Sequence, residues 1–178
     1  MTRAIDEFDE ACDRLLDRLR GHPGLDRVMY GASTLGDFSL IWLLISAARG
    51  ITSDRRADEA IRLAALLGVE SLIVNQGIKR LFRRGRPVFE GEHPHDLRRP
   101  LTSSFPSGHA SAAFFSASVL SQHSRRATPL WYGVAAVVAA SRPYVRAHHA
   151  SDVVGGAVVG AVLGAVARRV APRPARAR

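Results

Sequence analysis

A chain of 178 residues, 47% of them hydrophobic, is long enough to form one domain with a buried core. Its net charge of +9 favours an anionic partner, whether nucleic acid, a membrane surface or a phosphorylated substrate. The single cysteine, Cys12, excludes an intramolecular disulfide framework and a cysteine-based zinc site.

The first predicted element is an amphipathic helix over residues 4–20. Its acids and arginines surround one apolar face, which is formed by Ile5, Phe8, Cys12, Leu15, Leu16 and Leu19. The segment is too charged to span a bilayer and lacks the basic start and apolar run of a signal peptide, so we expect no cleaved export. We expect it to lie at the membrane interface or to cover the rest of the protein as a flap, and His22–Gly24 end it.

Apolar segments that alternate with arginine-rich loops make up the rest of the chain. They predict an all-α membrane bundle of about five spanning helices, at residues 28–48, 60–82, 108–122, 129–141 and 152–167. None is a charge-free run of about 18 residues or more, and the third and fourth are short for a span of about 20 residues. Trp131 and Tyr132 are placed as interfacial anchors of the fourth span.

This alternation also predicts the domain organisation. We expect a single domain over residues 1–172, with the amphipathic helix in 1–24 and the helical bundle in 25–172. A basic tail at 173–178 follows and suits a cytoplasmic membrane surface.

The distribution of arginines gives an expected orientation. With five spans, the C-terminal tail and the loops that carry Arg55–Arg56 and Arg125–Arg126 lie on one side of the membrane. The positive-inside rule puts that side in the cytoplasm, so the loops at 83–107 and 142–151 are expected to be extracytoplasmic. The chain is thus predicted to be a multi-pass protein of the cell membrane, and the sequence leaves its oligomeric state open.

Polar side chains interrupt the first two predicted spans. Asp37 either faces the interior of the bundle or lies at the membrane interface, and the sequence leaves both possibilities open. Glu70 is expected to support helix packing or a buried ion pair rather than catalysis. Asn75 precedes Lys79 by one helical turn, so both side chains are predicted to point into one polar pocket.

Two later helices carry small residues at a spacing of four. Such stripes allow the backbones of neighbouring helices to approach closely. One stripe lies in the third span and the other in the fifth: Gly108, Ala112 and Ser116, and Gly156, Gly160 and Gly164.

Three polar clusters fall on the same side of the predicted bundle. The first contains Lys79 and Arg86, and the third contains Arg142. These cations suit the oxygens of a phosphoryl group, over which charge is spread in the transition state. The second cluster includes Ser107 and Gly108 at the start of the third helix, where free backbone N–H groups bind an anion and glycine permits close approach.

Two histidines and an aspartate supply reactive groups for such a site. His109, at the start of the third helix, could protonate the leaving oxygen, and His148 could attack phosphorus to form a phosphohistidine. Asp152 follows His148 by four positions, so it can hold one ring nitrogen and leave the other free. Taken alone, this carboxylate is equally well explained as a helix cap.

Together the clusters resemble the signature of the type-2 phosphatidic acid phosphatase superfamily of lipid phosphatases. The three parts of that signature, K-x6-RP, PSGH and SR-x5-H-x3-D, occur in order in KRLFRRGRP, PSGH and SRPYVRAHHASD, within residues 79–152. The resemblance implies that His148, rather than His149, is the nucleophile, with Asp152 as its charge partner and His109 as the acid–base residue. It also implies a phosphate site formed by Lys79, Arg86, Ser107, Gly108 and Arg142.

The same resemblance implies the activity. Members of this family need no metal or other cofactor, and they hydrolyse lipid phosphates and lipid pyrophosphates, including isoprenoid carriers and phosphatidic acid. The expected partners are therefore a lipid phosphate or pyrophosphate and the bilayer, and not a nucleic acid.

The chain departs from the usual family pattern at three positions. Arg146 stands where a glycine is frequent, Ala150 where a proline is frequent, and His149 where an aromatic residue is frequent. We hypothesise that Arg146, with Arg98 or Arg99, reads a second phosphate or a charged headgroup. The alternative is that Arg146 is a solvated loop charge.

Other functions are compatible with parts of the pattern. A soluble acid phosphatase or a vanadium haloperoxidase would use a similar constellation, and a non-catalytic membrane protein would leave the convergence of the clusters unexplained. The basic run KRLFRRGRP could bind nucleic acid, although apolar spans flank it. A metal site could use the nitrogen and oxygen ligands of His93, His95, Asp96, His148 and His149.

Overall fold

The computed structural model describes residues 2–88 and 102–171, and in these ranges it contains helices and no strands. The all-α prediction is therefore confirmed. The described ranges contain seven α-helices: α1 (Arg3–Asp17), α2 (Pro23–Gly36), α3 (Leu40–Gly50), α4 (Asp54–Ser71), α5 (Gly108–Leu120), α6 (Thr128–Tyr144) and α7 (Ala150–Val170).

Within the described part of the chain, three helical segments are long and apolar enough to cross a membrane: Pro23–Gly50, Asp54–Leu81 and Ala150–Val170. The sequence already indicated that the third and fourth predicted spans are short, and the structure gives α5 only 13 residues. Its surface is almost entirely enclosed by neighbouring helices, since both Phe115 and Val119 are buried. A helix that is buried all round belongs at the centre of a bundle.

Helix α1 lies across the end of α6 and the start of α7. The buried carboxylate of Asp9 accepts hydrogen bonds from the backbone N–H and the hydroxyl of Ser151, both at 2.7 Å. Arg20, in the turn after α1, donates to the carbonyls of Pro143 and Tyr144 at 2.7 and 2.8 Å. The helix is therefore a flap over the bundle, which is one of the two arrangements expected from the sequence.

The first predicted span is broken in its middle. Helix α2 ends at Gly36, and Asp37–Ser39 form a short turn in which Phe38 and Ser39 have φ angles of 51° and 61°. This left-handed backbone is uncommon for residues other than glycine and costs on the order of 1–3 kcal/mol for each residue. The break turns the Asp37 carboxylate toward His109, which is the first of the two possibilities that the sequence left open.

The second predicted span changes its helical form before it ends. Helix α4 continues as a π-helical turn over Leu72–Gly77 and a 3-10 turn over Ile78–Leu81. Segments of π-helix are frequent at functional sites. A Cβ added at Gly108 would lie 3.3 Å from Asn75 Oδ1 and 3.7 Å from Lys79 Nζ, which confirms that both side chains reach one polar pocket.

The glycine stripe of α7 packs directly on α5. A Cβ added at Gly160 would collide with the backbone carbonyl of Ser111, and one added at Gly156 would collide with the carbonyl of Ser107. The predicted close packing is thus confirmed, and it fixes the distance between the starts of α5 and α7. His109 lies at one of these helix starts, and Asp152 at the other.

Gly160→Ala is expected to destabilise the protein by about 1–3 kcal/mol, because the added methyl group forces two packed backbones apart. Gly133→Ala in α6 is the matched control, since nothing lies within 4 Å of the Cβ position there. Thermal unfolding in detergent should show a lower midpoint for Gly160→Ala only. Equal midpoints for the two variants would contradict the close α5–α7 contact.

Candidate active site

His148 and Asp152 meet at the turn between α6 and α7, where both side chains are buried. His148 Nδ1 lies 3.7 Å from Asp152 Oδ2, which is too long for a direct hydrogen bond. Ser104 lies between them: its hydroxyl donates to Asp152 Oδ2 at 2.5 Å and is 3.3 Å from His148 Nδ1. The sequence predicted a direct contact, whereas the structure adds the Ser104 hydroxyl as a bridge.

The other ring nitrogen of His148 faces a cation. Arg86 Nη1 lies 3.1 Å from His148 Nε2 and also donates to the Ala147 carbonyl at 2.8 Å. A guanidinium has donors and no acceptor, so Nε2 is the unprotonated nitrogen and Nδ1 carries the hydrogen. The lone pair of Nε2 is therefore directed to the side on which Arg86 would bind a phosphoryl oxygen.

The surroundings of His148 keep its ring neutral. Burial lowers the pKa of His148 to about 3, and the nearby charges of Arg142, Arg86 and Lys79 act in the same direction, against the raising effect of Asp152. A neutral imidazole is the form that can act as a nucleophile.

This low pKa makes the stability of the protein depend on pH. The folded state excludes a proton from His148 down to about pH 3, whereas the unfolded chain binds one near the usual pKa of 6.5. The unfolded state therefore binds more protons in this interval, and the wild type should lose stability relative to His148→Asn as the pH falls from 6.5 toward 3. Unfolding midpoints of both proteins across this range provide the measurement, and parallel curves would contradict it.

Arg142 is the most buried cation of the site, at 1% exposure. Its Nη1 donates to the hydroxyl of Ser33, while its Nε has no hydrogen-bond partner among the residues that the structure describes. A buried charge without full pairing is costly, and an anionic ligand would complete its hydrogen bonds. Its side chain lines a cavity of about 540 Å³ that is also lined by Lys79, Arg86, Gly108, His109 and His148.

The start of α5 differs in one detail from the expected anion site. The backbone N–H of Ser107 donates to the carbonyl of Asp152 at 3.0 Å, and the Ser107 hydroxyl accepts from the N–H of Ala110 at 3.4 Å. Ser107 is thus the N-cap of α5 and ties it to α7. The helix-start donors that remain for a ligand are the N–H groups of Gly108 and His109.

The structure adds a cation that the sequence did not single out. Arg84 Nη1 contacts Asp152 Oδ1 at 2.5 Å, and Arg84 Nη2 contacts Asp9 Oδ2 at 2.6 Å. Burial raises the pKa of Asp9, but hydrogen bonds from Ser151 and Arg84 outweigh this effect and lower it, so the carboxylate stays charged. Arg84 stands among several arginines of one loop, and no local pattern separates it from its neighbours.

Arg146 lies on the α1 side of His148. It has a left-handed φ of 54°, a conformation that glycine adopts without strain. This agrees with the glycine that is frequent at this position in the family that the sequence resembles. Its side chain forms an ion pair with Asp17 and lines a second cavity of about 330 Å³. The hypothesis that Arg146 reads a headgroup stays a prediction.

Several residues of the long loop lie outside the described residues: His93, His95, Asp96, Arg98 and Arg99. Their proposed roles in metal binding or headgroup recognition therefore stay predictions. In residues 2–88 and 102–171, no group of three or more histidine, cysteine or acidic side chains is arranged to hold a metal ion.

Known proteins resemble this chain in sequence over most of its length. Phosphatidylglycerophosphatase B of Bacillus subtilis (strain 168) is 29% identical over an alignment of 167 residues, and the match covers 87% of this chain and 79% of that protein. Decaprenylphosphoryl-5-phosphoribose phosphatase of Mycobacterium tuberculosis is 34% identical over an alignment of 150 residues, and the match covers 82% of this chain and 77% of that protein.

A solved structure shares the fold. The crystal structure of a transmembrane PAP2 type phosphatidylglycerolphosphate phosphatase from Bacillus subtilis superposes with a TM-score of 0.75 and 26% identity, covering 99% of this chain and 90% of that one. The sequence profile of the PAP2 superfamily matches residues 59–176, which is more than half of the chain. These findings confirm the resemblance seen in the three motifs and show that the chain belongs to the PAP2 superfamily.

Proposed function

We propose that this chain removes the terminal phosphate from a lipid phosphate or lipid pyrophosphate through a phosphohistidine on His148. The chain is a membrane lipid phosphatase of the PAP2 type. The observation that carries the mechanism is the position of His148 Nε2, 3.1 Å from Arg86 Nη1, at a cavity that Lys79, Arg142 and His109 also line.

In the first step, His148 Nε2 attacks phosphorus as the bond between phosphorus and the leaving oxygen breaks. His109 gives its proton to that oxygen, so the lipid leaves as an alcohol or, from a pyrophosphate, as a lipid monophosphate. Arg86, Arg142 and Lys79 bind the phosphoryl oxygens while charge is spread over them. Asp152 and the Ser104 hydroxyl stabilise the positive charge that develops on the His148 ring.

In the second step, water attacks phosphorus and the bond from His148 to phosphorus breaks. The water gives a proton to His109, which returns to its acid form, and inorganic phosphate leaves. His148 is again neutral, the form that its burial favours. The cycle needs no group beyond the side chains of the site and water.

The lining of the cavity supports a lipid as the substrate. Besides its cations, the cavity is lined by the apolar side chains of Leu43, Ala64, Leu67 and Ala112. Phe38 also lines it, with 77% of its surface exposed. A phosphate bound by the cations would leave apolar side chains to contact the first carbons of its lipid, out of water.

The substrate class is taken from the chemistry of the site and from relatives. Their names refer to phosphatidylglycerophosphate and to decaprenylphosphoryl-5-phosphoribose, that is, to a glycerolipid and to a polyprenyl lipid. We extend this class to the present chain as an isoprenyl pyrophosphate or phosphatidic acid type of substrate. We also place the protein in the cell membrane, with the site extracytoplasmic and the arginine-rich C-terminus in the cytoplasm.

The proposal is tested by phosphate release from a lipid panel. Purified protein in detergent is given an isoprenyl pyrophosphate, phosphatidic acid, phosphatidylglycerol phosphate and lysophosphatidate, with His148→Asn as the inactive control. We expect release from at least one lipid by the wild type and none above background by the variant. Activity only on water-soluble phosphate esters would instead favour the soluble acid phosphatase reading.

A further inference from the structure

We propose that Asp37 is a positioning residue for His109. Its carboxylate holds the ring nitrogen Nε2 and favours the protonated ring that delivers a proton to the leaving oxygen. This inference rests on the proposed function, in which His109 is the acid of the first step. Asp37 lies outside residues 59–176, the range that the PAP2 profile matches.

The contacts of His109 indicate which ring nitrogen keeps its hydrogen and which one gains and loses the transferred proton. His109 Nε2 lies 3.2 Å from Asp37 Oδ1 and 3.2 Å from the backbone carbonyl of Ser33. Both neighbours are acceptors, so Nε2 keeps its hydrogen in either protonation state of the ring. No described residue forms a hydrogen bond with Nδ1, which is therefore the nitrogen that gains and loses the transferred proton.

The end of α2 is shaped to receive this ring. A Cβ added at Gly36 would lie 2.5 Å from His109 Cδ2 and 3.3 Å from His109 Nε2, so a larger residue there would displace the imidazole. Ser33, Gly36 and Asp37 thus form one surface against which the edge of the ring packs. The orientation of His109 is consequently set by α2 as well as by its own helix, α5.

The break after α2 places the carboxylate. Asp37 leaves the helix with ψ at 133°, and the left-handed Phe38 and Ser39 follow it before α3 begins. Two successive non-glycine residues in this conformation are uncommon, and backbone of this kind concentrates at functional sites. A negative charge beside Nε2 stabilises the imidazolium form, as in other pairs of histidine and carboxylate.

A purely structural role for Asp37 is the competing explanation. Its charge also acts on the buried Arg142 and could serve only to offset that cation. The two roles predict a different dependence of the rate loss in an Asp37 variant on the leaving group of the substrate. A lipid alkoxide needs a proton to leave, whereas the lipid monophosphate that leaves from a pyrophosphate is a stable anion and needs little help from an acid.

The test compares the monophosphate and the pyrophosphate of the same prenyl alcohol, and of the same diacylglycerol. Asp37→Asn is expected to lower kcat/KM at least about tenfold more for the monophosphate than for the pyrophosphate. The ratio of the two rates on one preparation does not depend on how much of the protein is folded. Asp58→Asn, an exposed acid on α4, is the control and should leave both rates unchanged.

Equal losses on both leaving groups would overturn the proposal and assign Asp37 to the charge balance of Arg142. The double variant Asp37→Asn/His109→Ala adds a second criterion: it should be no slower on the monophosphate than His109→Ala alone, and an additive loss counts against the proposal. Asp37→Ser gives the same ratio if the asparagine variant does not fold. A wild type inactive on all four lipids would refute the proposed function itself.

Discussion

Replacing His148 with alanine is expected to lower phosphate release from the lipid substrate by at least about 10⁴-fold, because the nucleophile is lost while the phosphate-binding cations remain. Its Nε2 is the nitrogen nearest to Arg86, and burial keeps the ring neutral. Initial rates of phosphate release by purified protein in detergent give the size of the loss.

A second measurement separates covalent catalysis from simple binding. Wild-type enzyme quenched with alkaline denaturant should retain labelled phosphate that is stable in base and labile in acid, and His148→Ala should retain none. His22→Ala is the matched control, since His22 is exposed at the start of α2 and its side chain forms no capping hydrogen bond. Retained turnover in His148→Ala would indicate a different nucleophile.

Arg142→Lys is expected to lower kcat/KM by about 10²-fold, because an ammonium group does not reproduce two parallel N–H donors toward a phosphoryl group. The wild-type guanidinium is fixed by the Ser33 hydroxyl, and its Nε lacks a partner within the described ranges. A lysine would lose both this fixed geometry and the second donor. The effect should appear for monophosphate and pyrophosphate substrates alike.

Binding can be measured for this variant without turnover. Vanadate or inorganic phosphate should raise the unfolding midpoint of the wild type, since a ligand at about 100 times its Kd adds about 2.7 kcal/mol of stability. The shift should be much smaller in Arg142→Lys. Arg168→Lys, at the exposed far end of α7, should respond like the wild type. An unchanged shift in Arg142→Lys would remove Arg142 from the phosphate site.

The sequence predicted the contacts between residues that lie close together along the chain. His148 and Asp152 are four positions apart, and the short turn through His149, the N-cap of α7, keeps them close although His148 lies before the helix. Helical periodicity does the same for Asn75 with Lys79, and for the glycine stripe of α7, whose contacts with α5 the structure confirms. The ends of α5, α6 and α7 were predicted to within about three residues, whereas α2 and α4 begin at Pro23 and Asp54, well before the predicted starts at 28 and 60.

The partners of these residues could not be predicted, because they come from distant parts of the chain. Arg84 is joined to Asp9 across 75 positions, and Ser33 lies 109 positions from Arg142. Such pairs depend on how helices pack, which a local pattern does not encode. The break at Phe38 was missed for another reason: the two left-handed residues, Phe38 and Ser39, are not glycines, and Gly36 at the end of α2 did not by itself predict a break.

The contact of Asp9 with Arg84 bears on where an affinity tag or fusion partner is best attached. Asp9 lies on α1, and Arg84 connects it directly to Asp152. An affinity tag or fusion partner placed before α1 is therefore attached to a helix that is linked through Arg84 to Asp152, the partner of the nucleophile His148. A tag attached after the C-terminus joins the chain beyond the far end of α7, at the opposite end of that helix from Asp152.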